Sequence, residues 1–224
     1  MHFHIITLFP ESFDSYLNES ILARAKKEKK IKISFYNPRD FVKGKYRKVW
    51  PDGNVSKIVD DRPYGGGPGM VIRAEPVLLA IEKAYKKIKD PKKAKVFFFS
   101  PSGSQFSSDV AEKAVKKYTN LILICGRYEG IDARVQKILK AEELSVGPYV
   151  LTGGELPAMV VLDSISRRVK GVLGNLESVE EYRVSSSEVY TRPESFEYQG
   201  KKYSVPEVLI TGDHKKIEEW KNKN

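Results

Sequence analysis

Five apolar segments of the sequence are short enough to be buried strands, and stretches of helical periodicity separate them. The segments span residues 4–9, 31–36, 95–100, 121–126 and 143–147. Apolar residues recur every three or four positions over residues 74–88 and 107–118, which predicts amphipathic helices. Strands that alternate with helices in this way form a sheet of mainly parallel strands covered by helices. The sequence therefore predicts an α/β fold.

Charge and cysteine content narrow the class of protein. The 224 residues include 39 Lys and Arg against 29 Asp and Glu, a net charge of +10 that indicates a polyanionic partner. Cys125 is the only cysteine and there are only three histidines, so we expect neither a disulfide framework nor a Cys/His metal site. The N-terminus lacks a signal-peptide pattern, and no apolar run approaches the roughly 20 residues of a membrane span. We expect a cytoplasmic protein that does not bind membranes.

Glycine-rich turns directly follow three of the predicted strands, at residues 101–103, 126–130 and 147–157. Ligands of open α/β sheets bind at the carboxyl ends of strands, where glycines let backbone groups approach closely. Any one of these turns could be purely structural, but three together predict one shared pocket. Glu129, Asp132 and Glu155 are expected to place negative charge there, which suits a positively charged ligand. The alternative is that these carboxylates are solvated at helix starts.

A second group of residues has the composition of an RNA-binding surface. Residues 60–70 form a loop rich in glycine and proline, and basic and aromatic side chains precede and enter it: Lys43, Lys45, Tyr46, Arg47, Lys48, Trp50 and Tyr64. Basic groups can bind phosphates while aromatic rings stack on unpaired bases. A mobile loop without a ligand is the alternative. Residues 37–70 contain no convincing core segment by pattern, which is typical of a functional connection.

The helix predicted over residues 155–169 is apolar nearly all round, which favours burial between the sheet and a partner. Arg167 follows Asp163 by four residues, so the two could form an ordinary i, i+4 surface pair. The other interpretation is a dimer face that carries Arg167 into a shared cleft.

Four blocks of the sequence, residues 60–70, 125–132, 146–159 and 190–194, resemble in order and spacing the bacterial tRNA (guanine-N1) methyltransferase family of the SPOUT superfamily. The resemblance covers nearly the whole chain. It implies an S-adenosylmethionine cofactor, methylation of guanine 37, just 3′ of the anticodon in the tRNA anticodon stem-loop, and a homodimer with its active site at the subunit interface. It also implies a deep trefoil knot in a SPOUT domain over residues 1–172, a flexible linker over 173–189 and a small, mainly helical tRNA-binding unit over 190–224, which could be a truncated form of the family's unit.

The resemblance also assigns site residues. The cofactor pocket would comprise Pro101, Gly126, Tyr128, Glu129, Val146, Gly147, Pro148, Tyr149, Val150, Leu151, Gly153, Gly154 and Pro157. Arg167 matches the catalytic arginine of the family. The family's catalytic aspartate in the linker is replaced by Tyr182, whose phenol is mostly protonated at neutral pH and makes a poor base. We therefore expect Glu181 to act as the base, with Glu180 in reserve, although both could be solvated linker charges.

Two further departures from the family pattern bear on tRNA binding. Residues 48–58 look like an insertion next to the 60–70 loop, and the chain stops short of the family's usual helical tail. Two other functions stay open from the sequence alone. One is a SPOUT-type RNA methyltransferase with a different target, and the other is an RNA-binding protein with a vestigial cofactor pocket.

Overall fold

The computed structural model describes residues 1–173 and 188–223. The chain divides into two compact units, residues 1–173 and 174–224. The elements of the first unit are, in chain order, β1 (His2–Ile6), α1 (Asp14–Leu17), α2 (Ser20–Lys27), β2 (Lys32–Tyr36), β3 (Arg47–Val49), β4 (Val55–Lys57), β5 (Asp60–Asp61), β6 (Val71–Ile72), α3 (Ala74–Tyr85), β7 (Ala94–Gln105), α4 (Ser108–Lys117), β8 (Asn120–Ile124), α5 (Ala133–Leu139), β9 (Glu142–Ser145) and α6 (Glu155–Ser166). Short 3-10 turns join several of them.

A five-stranded sheet in the order β2-β1-β8-β7-β9 forms the centre of the first unit, and every pairing in it is parallel. Successive side chains of a strand point to opposite faces, so each strand contributes to two cores. Phe3 and Ile5 of β1 pack with α1, α2, α4 and α6 on one face. Ile6 packs with α3 and α5 on the other. Helices on both faces of a parallel sheet confirm the predicted α/β fold.

The predicted elements are present with shifted ends. The helix predicted over residues 74–88 ends at Tyr85, and the one over 155–169 ends at Ser166. The hydroxyl of Ser107 accepts a hydrogen bond from the backbone N–H of Val110 at 3.4 Å and caps α4. Strand β7 is longer than predicted because it bulges between Phe99 and Ser104 and then resumes its pairing with β9.

Residues 37–70 contain no buried segment, as predicted, but two single residues of this stretch belong to the core. Val42 and Val59 are buried in the core under α3. Each is a single buried residue outside any helix or strand, so no periodicity marked it. Two separate antiparallel ribbons involve this segment: β3 pairs with β4, and β5 pairs with β6, which follows the segment directly.

A buried histidine links three strands of the sheet. His4 is 0% exposed, and its Nε2 lies 3.1 Å from the Asn120 side-chain oxygen while its Nδ1 lies 3.0 Å from the Tyr36 hydroxyl. Because the amide oxygen can only accept, Nε2 carries the proton and Nδ1 accepts from the tyrosine. The ring of His2 lies 3.8 Å from that of His4. Burial lowers the pKa of His4, and it lowers that of His2 to about 4.

The second unit, over its described residues 188–223, contains a hairpin that was not predicted in addition to the expected helix. A hairpin of β10 (Ser195–Tyr198) and β11 (Lys201–Ser204) precedes a 3-10 turn and the helix α7 (His214–Lys223). Gln199 and Gly200 join the strands with φ of +53° and +73°, the backbone that a two-residue hairpin turn requires. Across both described parts of the chain, no helix is long and apolar enough to cross a membrane, and no cluster of His, Cys, Asp and Glu could hold a metal ion.

Candidate active site

A cavity of about 300 Å³ lies at the carboxyl ends of β8 and β9 and beside the bulge of β7. Residues from all three predicted glycine-rich segments line it, although 16 or more residues separate one segment from the next. Residues 101–103 are not a separate turn as predicted but lie inside β7, and only Pro101 of them lines the cavity. Twelve of the thirteen residues assigned to the cofactor pocket line the cavity: Pro101, Gly126, Tyr128, Glu129, Val146, Gly147, Tyr149, Val150, Leu151, Gly153, Gly154 and Pro157. Pro148 lies within the same turn but does not line the cavity. The volume is at the lower end of the range for small-molecule sites.

The start of α6 is fastened to the end of β8. The backbone N–H of Gly154 donates to the carbonyl of Gly126 at 2.9 Å, and Arg127 and Gly153 form an antiparallel bridge. A Cβ on Gly154 would lie 2.6 Å from the Cα of Cys125. Real Cβ atoms do not approach backbone so closely, so glycine is the residue that lets these two walls of the cavity touch.

A second wall is built around Gly147. The ring of Tyr149 covers this glycine, and a Cβ there would lie 2.2 Å from the ring. The Tyr149 hydroxyl donates to the carbonyl of Val146 at 3.2 Å, and the Ser145 hydroxyl donates to the carbonyl of Gly147 at 2.9 Å. These contacts fold residues 145–149 into a tight turn that faces the cavity.

An ion pair at the start of α6 supports the cavity, and its arginine, Arg127, also lines the cavity. Glu155, the first residue of α6, is 2% exposed, and its Oε1 accepts from the Thr7 hydroxyl at 2.7 Å. Its Oε2 lies 2.8 Å from Arg127 Nε, but the N–H does not point at the oxygen, so the contact is electrostatic rather than an aligned hydrogen bond. The guanidinium of Arg127 also stacks on the ring of Phe9, 4.8 Å from its centroid. Sequence reasoning missed Thr7 and Arg127, since neither stands in a pattern that marks a supporting contact.

The predicted concentration of negative charge at the cavity is wrong for two of its three carboxylates. Glu155 is turned toward Thr7 and Arg127 and does not line the cavity. Asp132 caps α5 and binds the guanidinium of Arg134 at 2.6 Å, which holds the pKa of its carboxyl below the usual range. Glu129 alone of the three lines the cavity and is exposed.

The 60–70 loop meets the rim of the cavity at Glu129. The backbone N–H of Glu129 donates to the carbonyl of Met70 at 3.0 Å. A Cβ on Gly69 would lie 2.5 Å from the Glu129 carboxylate. The preceding residue, Tyr128, has a left-handed backbone with φ of +60° and a side chain that is 51% exposed. Residues other than glycine with such a backbone conformation occur most often at functional sites, where the surrounding structure stabilises them.

The other predicted catalytic residues are not brought to this cavity within the described chain. Arg167 follows α6, 13 residues after Gly154, which at about 1.5 Å per residue puts it roughly 20 Å along the helix. Glu180, Glu181 and Tyr182 lie outside the described residues.

The outer face of α6 is unusually apolar. Leu156 and Val160 are 53% and 50% exposed, and Asp163 and Arg167 continue the same stripe at spacings of three and four. Tyr16 flanks the stripe. Burial, then the charge of Asp163 and a hydrogen bond to it, raise the pKa of its phenol. An apolar helix face that ends in an arginine has the character of a protein interface.

Comparisons with known proteins agree with one another. A family described as tRNA (Guanine-1)-methyltransferase TrmD matches residues 1–224. Proteins named tRNA (guanine-N(1)-)-methyltransferase from Pseudoalteromonas atlantica and Clostridioides difficile are each 43% identical over 99% of this chain, and the matches cover 78% and 90% of those proteins. The crystal structure of tRNA (m1G37) methyltransferase from Aquifex aeolicus has a TM-score of 0.75 and 35% identity, over 100% of this chain and 88% of that one.

Proposed function

The chain belongs to the tRNA (guanine-N1) methyltransferase family, and from this premise we propose that it transfers a methyl group from S-adenosylmethionine to N1 of guanine 37 in tRNA. Methylation of guanine N1 in tRNA is the activity shared by the named relatives, which match nearly the whole chain. The observation that carries the cofactor assignment is the cavity at the strand ends, because twelve residues assigned to it by motif converge there.

The residues of the cavity fit such a donor. Gly147, Gly153 and Gly154 let neighbouring parts of the cavity lining approach one another closely, since a Cβ at any of them would collide with adjacent protein atoms. Backbone amides and carbonyls in these turns can hydrogen-bond the edges of an adenine. Tyr149 and Val150, 54% and 81% exposed, offer apolar surface to a planar ring. Glu129 provides a carboxylate at the rim for a positively charged group. When bound, S-adenosylmethionine supplies an electrophilic methyl carbon.

During the transfer the protein must accept one proton from the guanine and stabilise the negative charge that develops on it. Guanine N1 carries a proton that must leave as the methyl carbon is bonded. We assign Glu181 as the acceptor of that proton, with Glu180 in reserve, because a carboxylate is ionised at neutral pH. The guanidinium of Arg167 steadies the negative charge that builds on the base as the proton leaves.

The Glu181 assignment is tested by Glu181→Gln. We expect loss of turnover with S-adenosylmethionine and tRNA binding intact, because glutamine keeps the shape of the side chain but cannot take a proton. Full activity in this variant, together with an inactive Tyr182→Phe, would reverse the assignment.

We propose that two chains complete each site. Arg167 lies roughly 20 Å from the cavity along its own α6, while the apolar stripe of Leu156 and Val160 offers a surface on which a second copy can pack. Pairing of two chains would bring Arg167 of one to the cavity of the other.

Mixed dimers test the shared site. One subunit carries Arg167→Ala and the other Glu181→Gln, and each is inactive as a homodimer. We expect the mixture to regain activity, because one of its two sites would be intact if each site takes Arg167 from one chain and Glu181 from the other. If no combination of cavity, Arg167 and linker variants restores any activity, the shared-site proposal is wrong.

We further propose that residues 147–166 complete the deep trefoil knot of the SPOUT superfamily. The backbone hydrogen bond from Gly154 to Gly126 and the bridge between Gly153 and Arg127 support this proposal, because they hold the start of α6 against the segment that follows β8. Stretching single molecules from their ends measures this directly, since a knotted chain stays shorter than its full contour length. An extension that reaches the full length of 224 residues would exclude the knot.

Methyl incorporation into unmodified tRNA tests the target. Transcripts with guanine at position 37 should accept one methyl group, whereas transcripts with adenine there should accept none. Calorimetry with S-adenosylmethionine separates catalysis from mere RNA binding, because a vestigial pocket would bind no donor. We place the enzyme in the cytoplasm, and the free, buried thiol of Cys125 is in keeping with a reducing compartment.

A further inference from the structure

The hairpin of β3 and β4, residues 47–57, exposes apolar side chains that no part of its own ribbon covers. Val49, Trp50 and Val55 are 60%, 54% and 42% exposed. The ribbon is a two-stranded sheet of its own, and such a ribbon is marginal in water without something to pack on. Trp50 is the largest of the three, and an exposed tryptophan is typical of an interaction surface.

The tip of the hairpin is ordered by its own turn. The backbone N–H of Trp50 donates to the carbonyl of Asn54 at 2.8 Å, and that of Gly53 donates to the carbonyl of Trp50 at 2.9 Å. The Asp52 carboxylate accepts from the backbone N–H and the side-chain amide of Asn54 at 3.0 and 2.7 Å. These hydrogen bonds from Asn54 lower the pKa of Asp52. The indole of Trp50 is therefore presented from a fixed turn.

The base of the hairpin is anchored to the rest of the first unit through Tyr46. The guanidinium of Arg73 lies 3.4 Å from the centroid of the Tyr46 ring. The Tyr46 hydroxyl donates to the Asp61 carboxylate at 3.2 Å, and the backbone N–H of Ile58 donates to the carbonyl of Tyr46. Asp61 begins the loop that reaches Glu129 at the cavity rim, so the hairpin and the cavity are joined by one continuous segment.

The charge of the hairpin selects its partner. The stretch 43–58 holds five basic side chains, Lys43, Lys45, Arg47, Lys48 and Lys57, and one carboxylate, Asp52. Lys57 is paired with Asp40 at 3.4 Å. Side chains of a strand alternate between faces, and the register pairs Lys48 with Ser56 and Val49 with Val55. Lys48 and Trp50 thus share one face of the ribbon, whereas Val49 and Val55 share the other.

We propose that the face of this hairpin formed by Lys48 and Trp50 is an auxiliary tRNA contact, in which Trp50 stacks on an unpaired base and Lys48 binds an adjacent phosphate. The combination of an exposed aromatic ring and a lysine on one face fits single-stranded RNA, which offers a flat base beside a negative charge. The proposal rests on the proposed function, since it takes tRNA as the substrate. The sequence resemblance marks residues 48–58 as an insertion, so this contact is an addition made by this chain.

Tryptophan fluorescence tests the stacking directly. The chain contains two tryptophans, Trp50 and Trp220, so the full-length Trp220→Phe variant reports on Trp50 alone. Titration with unmodified tRNA should quench its emission and protect it from acrylamide. Emission that stays unchanged at saturating tRNA would overturn the proposal. Quenching that instead follows protein concentration without tRNA would assign the surface to a second copy of the chain and overturn it too.

The tRNA affinities of matched variants give a second test of the stacking contact. Trp50→Ala should weaken tRNA binding about tenfold, within the range for loss of one stacked base, whereas Trp50→Phe keeps a ring and should stay close to the parent. Val49→Ala, on the opposite face of the ribbon, is the control and should leave affinity unchanged. Equal affinities for Trp50→Ala and Val49→Ala would refute the contact.

The lysine is tested through salt dependence. Lys48→Gln should reduce the slope of log affinity against log salt by about 1, the value for one lost phosphate contact. Lys113→Gln is the control, because Lys113 is exposed on α4, across the sheet from the hairpin. Equal slopes for the two variants would show that Lys48 does not contact a phosphate of the tRNA. Failure of the proposed function looks different, because the parent protein would then methylate no tRNA whatever the state of Trp50.

Discussion

Replacing Gly154 by alanine should damage the cavity through a single steric contact. Gly154 has φ of −82°, which alanine adopts freely, so backbone strain does not enter. The new Cβ would lie 2.6 Å from the Cα of Cys125 and 2.9 Å from the backbone nitrogen of Gly126. Both neighbours are backbone atoms of the strand end and cannot rotate away. The start of α6 must therefore move outward by about 0.8 Å to reach ordinary contact near 3.4 Å.

The cost follows from two terms. Overpacking of this kind costs about 1–3 kcal/mol, and stretching the hydrogen bond from Gly154 to Gly126 costs about 1 kcal/mol more. A loss of about 2–4 kcal/mol lowers the melting temperature of a chain this size by roughly 5–15 °C. Since Gly154 lines the cavity, affinity for S-adenosylmethionine should fall at least tenfold, as expected when a wall moves by about 1 Å.

Gly126→Ala is the matched control for stability. A Cβ there meets only the side chain of Ile131, at an ordinary 3.7 Å, so the substitution should leave the melting temperature unchanged or raise it slightly. Thermal melts of both variants, followed by calorimetry with S-adenosylmethionine on Gly154→Ala, decide the matter. If Gly154→Ala melts together with Gly126→Ala and binds the donor like the parent, the close approach of α6 to β8 is not what shapes the cavity.

Three further outcomes follow from the buried polar groups. Glu155→Gln should destabilise the fold by about 2 kcal/mol in chemical denaturation, because Arg127 loses its buried partner; stability equal to the parent would show that the ion pair contributes nothing. The pKa values of His2 and His4 are lowered by folding, so the unfolded chain binds more protons below pH about 6.5. Unfolding free energy should therefore fall as pH drops from about 6.5 to 4, by about 1 kcal/mol for the half-exposed His2, and a flat profile of denaturation midpoints would contradict this. Burial and the charge of Glu155 raise the pKa of the Cys125 thiol well above its usual range, so iodoacetamide should label the protein only after denaturation, and rapid labelling of the native protein would contradict its burial.

The elements of the fold were predictable where an apolar pattern in the sequence corresponds to residues that are buried in the structure. The central strands are continuous apolar runs because both faces of the sheet are covered, so their places in the sequence were predicted to within a few residues. The hairpin of the second unit was missed because its strands alternate around Phe196 and Tyr203 without burying either face. The order of strands in the sheet depends on contacts between distant segments, which no local pattern records.

The turns that line the cavity were predictable from the sequence, whereas the side-chain contacts that support it were not. Glycine-rich turns after strands are visible in the sequence because close backbone approach demands glycine. The direction of a side chain is not visible, and Glu155 shows the consequence: its place at a helix start suggested a ligand contact, whereas its carboxylate is turned inward to Thr7 and Arg127. For Asp132, a capping role and a ligand role have the same sequence signature.

The identity of the methylated nucleoside tests the central claim most directly. Unmodified tRNA is incubated with the enzyme and S-adenosylmethionine, digested to nucleosides and analysed by mass spectrometry against authentic standards. The account predicts 1-methylguanosine, no more than one per tRNA, and its loss when guanine 37 is replaced. Methylation at another atom of guanine, at a ribose hydroxyl or at another nucleotide would contradict it, as would a folded protein that binds the donor but leaves the tRNA unmodified.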